Sequence, residues 1–368
     1  MKLSFQNSFF TLAFVALLIA FMVVAKSILI PIGIALLLAF ILYPVHKKFM
    51  KWGVGNILAG FLSILLLIII IGGGITFFSA EIIALSDEVT NFSNKLSKLY
   101  TDVVFFINKN ISIVENLEKE ELSKNFKTYL KDSAGSLVGG TFSSTANFFT
   151  GLITVFIYMF LFLIYQKGLV RAFLKFSPEG KKEQFFKMLK SVQQVGQKYL
   201  SGMSILIIIL GTVNSVGLWI IGIDSPFLFG FLAASLSIIP FVGTTIGASI
   251  PVLYAFMSHD QLWVPIAVAA LFWVVQLLES NFLNPKIVGN SVNVNAFAAI
   301  LSLIIGASIW GVAGMVLFLP FAAMLKVVCE EYEPLKPLAL LIGNSNFQDD
   351  SGDKKDWFKK LKDKFKSK

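Results

Sequence analysis

The chain has 368 residues, of which 56% are hydrophobic and only 14% are charged, and its formal net charge is +9. Between residues 201 and 325, only Asp224, Asp260, Glu279 and Lys286 carry a charge. A water-soluble surface needs roughly 25–35% charged residues, so this part of the chain cannot form a soluble domain. Together with a mean hydropathy of +0.78, this composition predicts an all-α, polytopic transmembrane protein.

Several kinds of chemistry have no support in the sequence. One cysteine leaves no intramolecular disulfide, and two histidines without an HExxH motif give no metal site to propose. A phosphate-binding P-loop is absent, and no nucleophile, base and orienting group occur together. We therefore expect no enzyme, no cofactor and no bound metal. The Lys and Arg residues flank apolar runs, so we expect lipid rather than nucleic acid as their partner.

Apolar segments long enough to cross a bilayer follow one another along most of the chain. The first has the length of a signal-peptide core, but a second apolar run begins directly after it, so we expect an uncleaved helix. The eight predicted segments are at about 9–25, 27–45, 55–79, 147–165, 203–223, 226–257, 262–283 and 297–325.

The connecting segments predict the orientation. His46, Lys47, Lys48 and Lys51 follow the second segment, and residues 166–200 contain eight Lys or Arg against two Glu. Residues 81–135, with seven Lys and nine acidic residues, have no such bias. The positive-inside rule therefore predicts a cytoplasmic (inner) membrane protein with both termini in the cytoplasm.

The polar regions between and after the apolar segments suggest four divisions. Residues 1–80 are N-terminal membrane helices and residues 81–140 an extramembrane segment with an amphipathic pattern, which suits a membrane surface, contact with other subunits or a plain spacer. Residues 141–330 are a transport core that includes a cytoplasmic helix at 177–199, predicted to lie along anionic lipid, and residues 331–368 are a basic cytoplasmic tail.

Two apolar segments are interrupted. The run 226–257 contains Pro240, Gly243 and Gly247, and the run 297–325 contains Gly306, Gly311, Gly314 and Pro320. Interrupted segments of this kind mark the substrate region of many transporters, although the same residues also suit close helix packing and kinks. If both segments cross once, the chain has eight spans; if both are re-entrant hairpins, it has six.

Glu279 is the main candidate for a functional side chain. It follows an apolar run in which Gln276 is the only strongly polar residue, and the two share a helical face. A carboxylate at membrane depth must be paired, bind a cation or stay protonated, so Glu279 is a candidate proton or cation site. Pairing with Lys286 at the membrane interface is the alternative. Asn281 and Asp224 are further candidates for contacting a solute or cation.

Three stretches of the sequence resemble one known family. They are SIIPFVGTTIGASIP, QLLESNFLNPKIVGNSVNVN and IIGASIWGVAGMVLFLPFAAMLKV, and the chain is similar in order over roughly residues 10–330 to the autoinducer-2 exporter family. By position, the family's motifs match Pro240 and Gly243, then Glu279, Asn281, Pro285 and Gly289, then Gly306, Gly311, Gly314 and Pro320. The chain departs from the family's pattern at Asn295 and Ala296, and at Gln166 and Lys167.

The resemblance implies a permease that exports an autoinducer-2-like solute or exchanges sodium or lithium for protons, as a homo-oligomer such as a pentamer. We therefore expect a secondary transporter for a small polar solute, coupled to a cation or proton. A sodium(lithium)/proton antiporter without an organic substrate is one alternative. A membrane scaffold or assembly protein that recruits partners through its amphipathic segments is another.

Overall fold

The computed structural model describes residues 5–79, 149–177, 180–240, 242–289 and 293–343. The predicted amphipathic segment 81–140 and residues 344–368 of the basic tail lie outside these ranges. The described helices are α1 (Phe5–Val24), α2 (Lys26–Lys51), α3 (Asn56–Ser79), α4 (Phe149–Lys175), α5 (Lys182–Ile221), α6 (Pro226–Leu236), α7 (Val242–Ser258), α8 (Trp263–Leu278), α9 (Ala296–Trp310), α10 (Val312–Glu331) and α11 (Lys336–Ile342).

Six helices in the described ranges are long and apolar enough to cross a membrane. They are α2, α3, α4, α5, α8 with its continuation to Val288, and α10. Large apolar side chains such as Ile70 and Trp219 point outward, 62% and 69% exposed, as expected of a surface that faces lipid. The prediction of an all-α polytopic membrane protein is confirmed.

Both interrupted segments form hairpins of two helices. In the first, α6 has 11 residues and α7 has 17, so at a rise of about 1.5 Å per residue neither matches a hydrocarbon core of about 30 Å. In the second, α9 and α10 turn at Gly311, whose φ of 61° is a conformation that glycine adopts without strain. The helical breaks occur at two of the predicted positions, Pro240 and Gly311. The other five lie inside α7, α9 and α10; they are Gly243, Gly247, Gly306, Gly314 and Pro320. The depth of each hairpin in the bilayer stays a prediction.

Helix α5 is the central element. It packs against α2, α6, α8 and α10, and its 40 residues extend about 60 Å, twice the hydrocarbon thickness. The predicted cytoplasmic helix 177–199 and the predicted span 203–223 are therefore largely one continuous helix. Within its first half, Met188 and Tyr199 are buried against protein, so this face does not lie on lipid.

The other described helices form layers around α5. Helices α2, α3 and α4 share an apolar core that includes Leu42, Ile64 and Met159. Helix α1 is tied to α9 because the indole Nε1 of Trp310 donates to the carbonyl oxygen of Met22 over 2.9 Å. The α6–α7 hairpin and α8 lie on the other side of α5, and this arrangement creates a small polar cavity between them.

Candidate functional site

A cavity of about 20 Å³ lies where α5, the α6–α7 hairpin and α8 meet. Its apolar wall includes Leu210, Phe272 and Val275, and its polar lining residues are Asn214, Ser237, Thr244, Gln276 and Glu279. This volume is room for about one water-sized particle. The site is therefore a polar pocket inside an otherwise apolar helical bundle.

Glu279 is buried in this site, with only 6% of its surface exposed. Its Oε1 accepts a hydrogen bond from Asn284 Nδ2 over 3.3 Å. The described residues place no cation within ion-pair distance of the carboxylate, and the alternative pairing with Lys286 is not formed. A buried charge without a counter-charge costs several kcal/mol, so this group favours a proton or a bound cation.

The backbone around Glu279 is unusual for a membrane helix. Helix α8 ends at Leu278 and continues as a π-helical turn from Glu279 to Leu283, in which the backbone N–H of Asn284 donates to the carbonyl oxygen of Glu279. Pro285 comes next and has no N–H to donate, so the regular α-helical pattern cannot continue through it. Single π-helical turns occur frequently at functional sites.

Asn214 on α5 supplies a second buried oxygen. The residue is 4% exposed, and its Oδ1 has no hydrogen-bond partner in the described part of the protein. Leaving a buried acceptor unsatisfied costs about 1–3 kcal/mol. Such a cost is expected where a water, a proton donor or a cation occupies the site during function.

The α6–α7 hairpin supplies two hydroxyl groups, those of Ser237 in the turn and Thr244 in the first turn of α7. Ser237 donates its hydroxyl to the carbonyl oxygen of Ala234 over 2.7 Å, so its remaining lone pairs are acceptors. The turn is tight because a side chain on Gly243 would overlap the carbonyl oxygen of Leu236. With Asn214 and Glu279, the cavity has a surplus of oxygen acceptors, which suits a hard cation or a hydrogen-bond donor.

The structure brings only some of the predicted site residues together. Gln276 and Glu279 line the same cavity, and Gly247 packs against Ala233 at its edge. Asp224 is exposed in the turn before α6. Asn281 is also exposed, and its Nδ2 donates to the carbonyl oxygen of Leu277 over 2.9 Å.

The remaining glycine and proline positions have structural roles away from the cavity. Pro285 and Gly289 bound a second π-helical turn that packs against α5. Gly306 and Gly314 let the backbones of α9 and α10 approach closely, and Pro320 lies inside α10. None of these residues lines the cavity.

Sequence reasoning missed Asn214, Ser237 and Thr244. Asn214 is the one amide in the apolar half of α5, and that isolation was the available signal. The buried Lys326, which pairs with Glu330 over 2.9 Å, was also missed; it lies on α10 and does not line this cavity.

At Asn295, where the chain departs from the family pattern, the side chain caps α9 by accepting from the N–H of Ala298.

A multi-pass helical bundle with interrupted helices and a buried polar pocket is typical of membrane transport proteins. The comparison with known families agrees, because residues 12–334 match the AI-2E family transporter. The chain belongs to this family, and it is a multi-pass membrane protein of the transporter class.

The relatives include proteins from distant bacteria. The chain is 24% identical over 314 residues to "Putative transport protein YrrI" of Bacillus subtilis, covering 84% of this chain and 87% of the relative. It is 26% identical over 322 residues to "Putative transport protein YueF" of the same organism, covering 83% and 84%. It is 22% identical over 327 residues to "AI-2 transport protein TqsA" of Escherichia coli, covering 88% and 91%.

Proposed function

We propose that this protein is a secondary transporter that exports a small polar solute of the autoinducer-2 type and couples export to a proton or a monovalent cation. The family membership supports the transporter class, and the name of the relative TqsA supports the solute class. The observation that carries the coupling is the buried Glu279 beside the unpartnered Oδ1 of Asn214 in one small cavity.

The cavity at Glu279 is too small for the solute, so the coupling group does not lie in a space that the solute occupies in this structure. A volume of about 20 Å³ accepts one water-sized particle and excludes an organic solute of several heavy atoms. We therefore assign the cavity to the proton or cation, and the solute to a path that opens when the hairpins move.

In the proposed mechanism, the α6–α7 hairpin responds to the charge of Glu279. A proton or cation at the carboxylate offsets the cost of its burial and stabilises the hairpin against α5 and α8. When the proton or cation leaves, the charged carboxylate of Glu279 favours an arrangement in which water reaches it. The α6–α7 hairpin then separates from α5 and α8. Solute movement in one state and ion release in the other would couple the two fluxes.

A sodium(lithium)/proton antiporter without an organic substrate is the second candidate. The same cavity favours it, since the acceptor oxygens and the small volume fit a bare cation. A scaffold or assembly protein is the candidate of another class, and it depends on the segments 81–137 and 354–368. Deleting those segments would abolish a scaffold function while a Glu279→Gln variant retained it.

We also propose the cytoplasmic membrane as the location, with both termini in the cytoplasm, and a homo-oligomer such as a pentamer as the assembly. The basic residues after α2 and between α4 and α5 support the orientation. Reporter fusions at each terminus and the mass of the purified protein in detergent test these two proposals.

The deciding experiment measures transport by purified protein in proteoliposomes that contain a pH-sensitive dye. Sodium, lithium or labelled autoinducer-2 is added outside under an imposed proton gradient. Counterflow of the labelled solute supports export, and cation-driven proton movement without solute counterflow supports antiport. Silence in both assays contradicts the transporter mechanisms and favours the scaffold.

Matched carboxylate variants test the role of Glu279. We expect Glu279→Gln to lower coupled transport at least tenfold, because the amide can neither release a proton nor bind a cation by charge. Asp224→Asn removes a carboxylate that is exposed outside the cavity, so we expect it to transport like the wild type. Full transport with unchanged pH dependence in Glu279→Gln would eliminate Glu279 as the coupling group.

A further inference from the structure

A second polar cavity lies where α2 ends and α3 begins, beside the second half of α4. It has a volume of about 310 Å³, and its polar lining residues include His46, Lys47, Lys51, Asn56, Gln166 and Lys167. We call it the basic cavity. It shares no lining residue with the cavity at Glu279.

The described lining of the basic cavity has three positive charges and no negative one. Among the residues that the structure describes, no Asp or Glu lines it, and Lys47, Lys51 and Lys167 form no ion pair. A cavity of this charge attracts an anion with several oxygen atoms.

His46 gives the basic cavity a buried polar wall. Its side chain is 2% exposed, and Nε2 lies 3.1 Å from Asn56 Oδ1. Asn56 is itself fixed, because its Nδ2 donates to the carbonyl oxygen of Ile164 over 3.0 Å. The other ring nitrogen, Nδ1, is buried without a hydrogen-bond partner in the described structure. These hydrogen bonds hold the wall in place, and Nδ1 lies behind it, out of reach of a ligand in the cavity.

The surroundings place the basic cavity at the level of lipid headgroups. Trp52, the residue after α2, is 66% exposed, and Lys48 Nζ lies 5.3 Å from the centre of its ring. Exposed tryptophan and lysine are typical of the membrane interface, and the lysines assign this interface to the cytoplasmic leaflet.

An apolar groove continues from the basic cavity along α3. The groove is shallow and open, it is lined by the largely exposed Ile57, Leu58 and Phe61 and by Phe160, and Asn56 borders both spaces. A free phosphate ion has no apolar part that could contact such a groove. A phospholipid can place its headgroup among the lysines and an acyl chain along the groove. The charged cavity and the apolar groove beside it therefore suit a ligand with an anionic headgroup and an apolar chain.

We propose that the basic cavity binds the phosphate headgroup of an anionic phospholipid from the cytoplasmic leaflet, with an acyl chain in the groove along α3. The cavity also borders α5, because Gln166 Nε2 donates to Gln193 Oε1 over 3.5 Å. The described lining residues of both spaces lie on α2, α3, α4 and the link before α3, so a bound lipid would contact this layer and adjoin α5 only through Gln166.

The test is a titration of the full chain, purified in detergent, followed by native mass spectrometry. Dioleoyl phosphatidylglycerol, dioleoyl phosphatidylcholine, glycerol 3-phosphate and inorganic phosphate are added in separate arms. We expect phosphatidylglycerol to bind about tenfold or more tightly than phosphatidylcholine, since each lysine favours the net negative charge. We expect neither soluble phosphate to compete with it at the same concentration.

A matched pair of triple variants locates the binding. Lys47→Gln/Lys51→Gln/Lys167→Gln removes the three charges of the basic cavity, and Lys175→Gln/Lys182→Gln/Lys190→Gln removes three exposed charges that do not line it. We expect the first variant to bind phosphatidylglycerol at least tenfold more weakly and the second to stay within about twofold of the wild type. An equal loss in both variants, or no loss in the first, overturns the proposal.

The titrations of the wild-type protein distinguish a lipid headgroup from a soluble phosphate, and they need no variant. Competition by inorganic phosphate or glycerol 3-phosphate as strong as that by phosphatidylglycerol would show a soluble anion site and refute the lipid assignment. Equal binding of phosphatidylcholine would show that the groove alone selects the ligand, which also refutes it.

Discussion

Asn284 donates its side-chain amide to Glu279 Oε1 across 3.3 Å, and the backbone N–H of the same residue donates to the Glu279 carbonyl oxygen. One asparagine therefore fixes both the carboxylate and the π-helical turn that presents it. Asn284 directly precedes Pro285, so the residue that orients the candidate coupling group stands at the junction of the two π-helical turns.

The first prediction concerns this amide. We expect Asn284→Ala to lower coupled transport about tenfold, since a hydrogen bond to a charged group contributes about 1.5–3 kcal/mol. Asn281→Ala is the matched control, because Asn281 is an exposed amide in the same π-helical turn. Proteoliposome flux under a proton gradient measures both. Similar losses in the two variants would mean that the turn matters and the hydrogen bond to Glu279 does not.

The second prediction separates stability from function at Asn214. Replacing Asn214 with leucine removes the buried, unpartnered Oδ1, which costs about 1–3 kcal/mol. We expect Asn214→Leu to unfold at a temperature equal to or above that of the wild type, yet to transport at least tenfold more slowly. Thermal unfolding in detergent and flux in proteoliposomes are measured on the same preparation.

Ser215→Ala is the control for Asn214→Leu. Ser215 is the next residue on α5, and its buried hydroxyl donates to the carbonyl oxygen of Gly211 over 2.6 Å, so it is already satisfied. We expect this variant to change transport by less than about twofold, with stability within about 1 kcal/mol of the wild type. Normal transport in Asn214→Leu would remove Asn214 from the coupling site.

The fold class and the helical breaks could be predicted because they depend on local signals. A run without charges predicts a membrane helix, and Pro240 with Gly243 predicts a break wherever the segment lies. Gln276 and Glu279 could be placed on one face because three-residue spacing fixes their relative direction on a helix.

The composition of the site could not be predicted, since it depends on which helices meet. Asn214 is 65 residues before Glu279 in sequence, and no local pattern shows that α5 turns this face toward α8. The continuity of α5 was missed for a similar reason. Gly202 lies between the two predicted segments, and a side chain there would meet the carbonyl oxygen of Ile287 at 2.9 Å, so the glycine serves close packing between helices.

The third prediction tests the hairpin of α9 and α10. A side chain on Gly314 would overlap the backbone of Gly306, so the two helices would have to separate. We expect Gly314→Ala to destabilise the protein by about 1–3 kcal/mol, the usual cost of overpacking. Gly151→Ala on α4 adds a methyl group into open space and should be neutral or stabilising by up to about 1 kcal/mol. Thermal unfolding in detergent compares them, and an unchanged midpoint for Gly314→Ala would show that the backbones are not in contact.

The last prediction concerns Asn295, which joins the start of α9 to the end of α11. Its Oδ1 accepts from the N–H of Ala298 over 2.8 Å, and its Nδ2 donates to the carbonyl oxygens of Leu341 and Gly343 over 2.7 and 2.9 Å. Asn295→Ala removes all three bonds, whereas Asn295→Asp keeps the cap at Ala298 and removes both donors.

The two variants distinguish the helix cap at Ala298 from the hydrogen bonds that Asn295 donates to Leu341 and Gly343. Loss of a helix cap costs about 0.5–2 kcal/mol, so we expect Asn295→Ala to be less stable than Asn295→Asp by about that amount. Both should expose the α11 region to proteolysis, because each loses the donors that hold Leu341 and Gly343. Limited proteolysis with mapping of the cut sites measures this effect. Protection of α11 in Asn295→Asp would mean that the backbone bond from Asn295 N to the carbonyl oxygen of Ile342, 2.9 Å long, is sufficient to hold it.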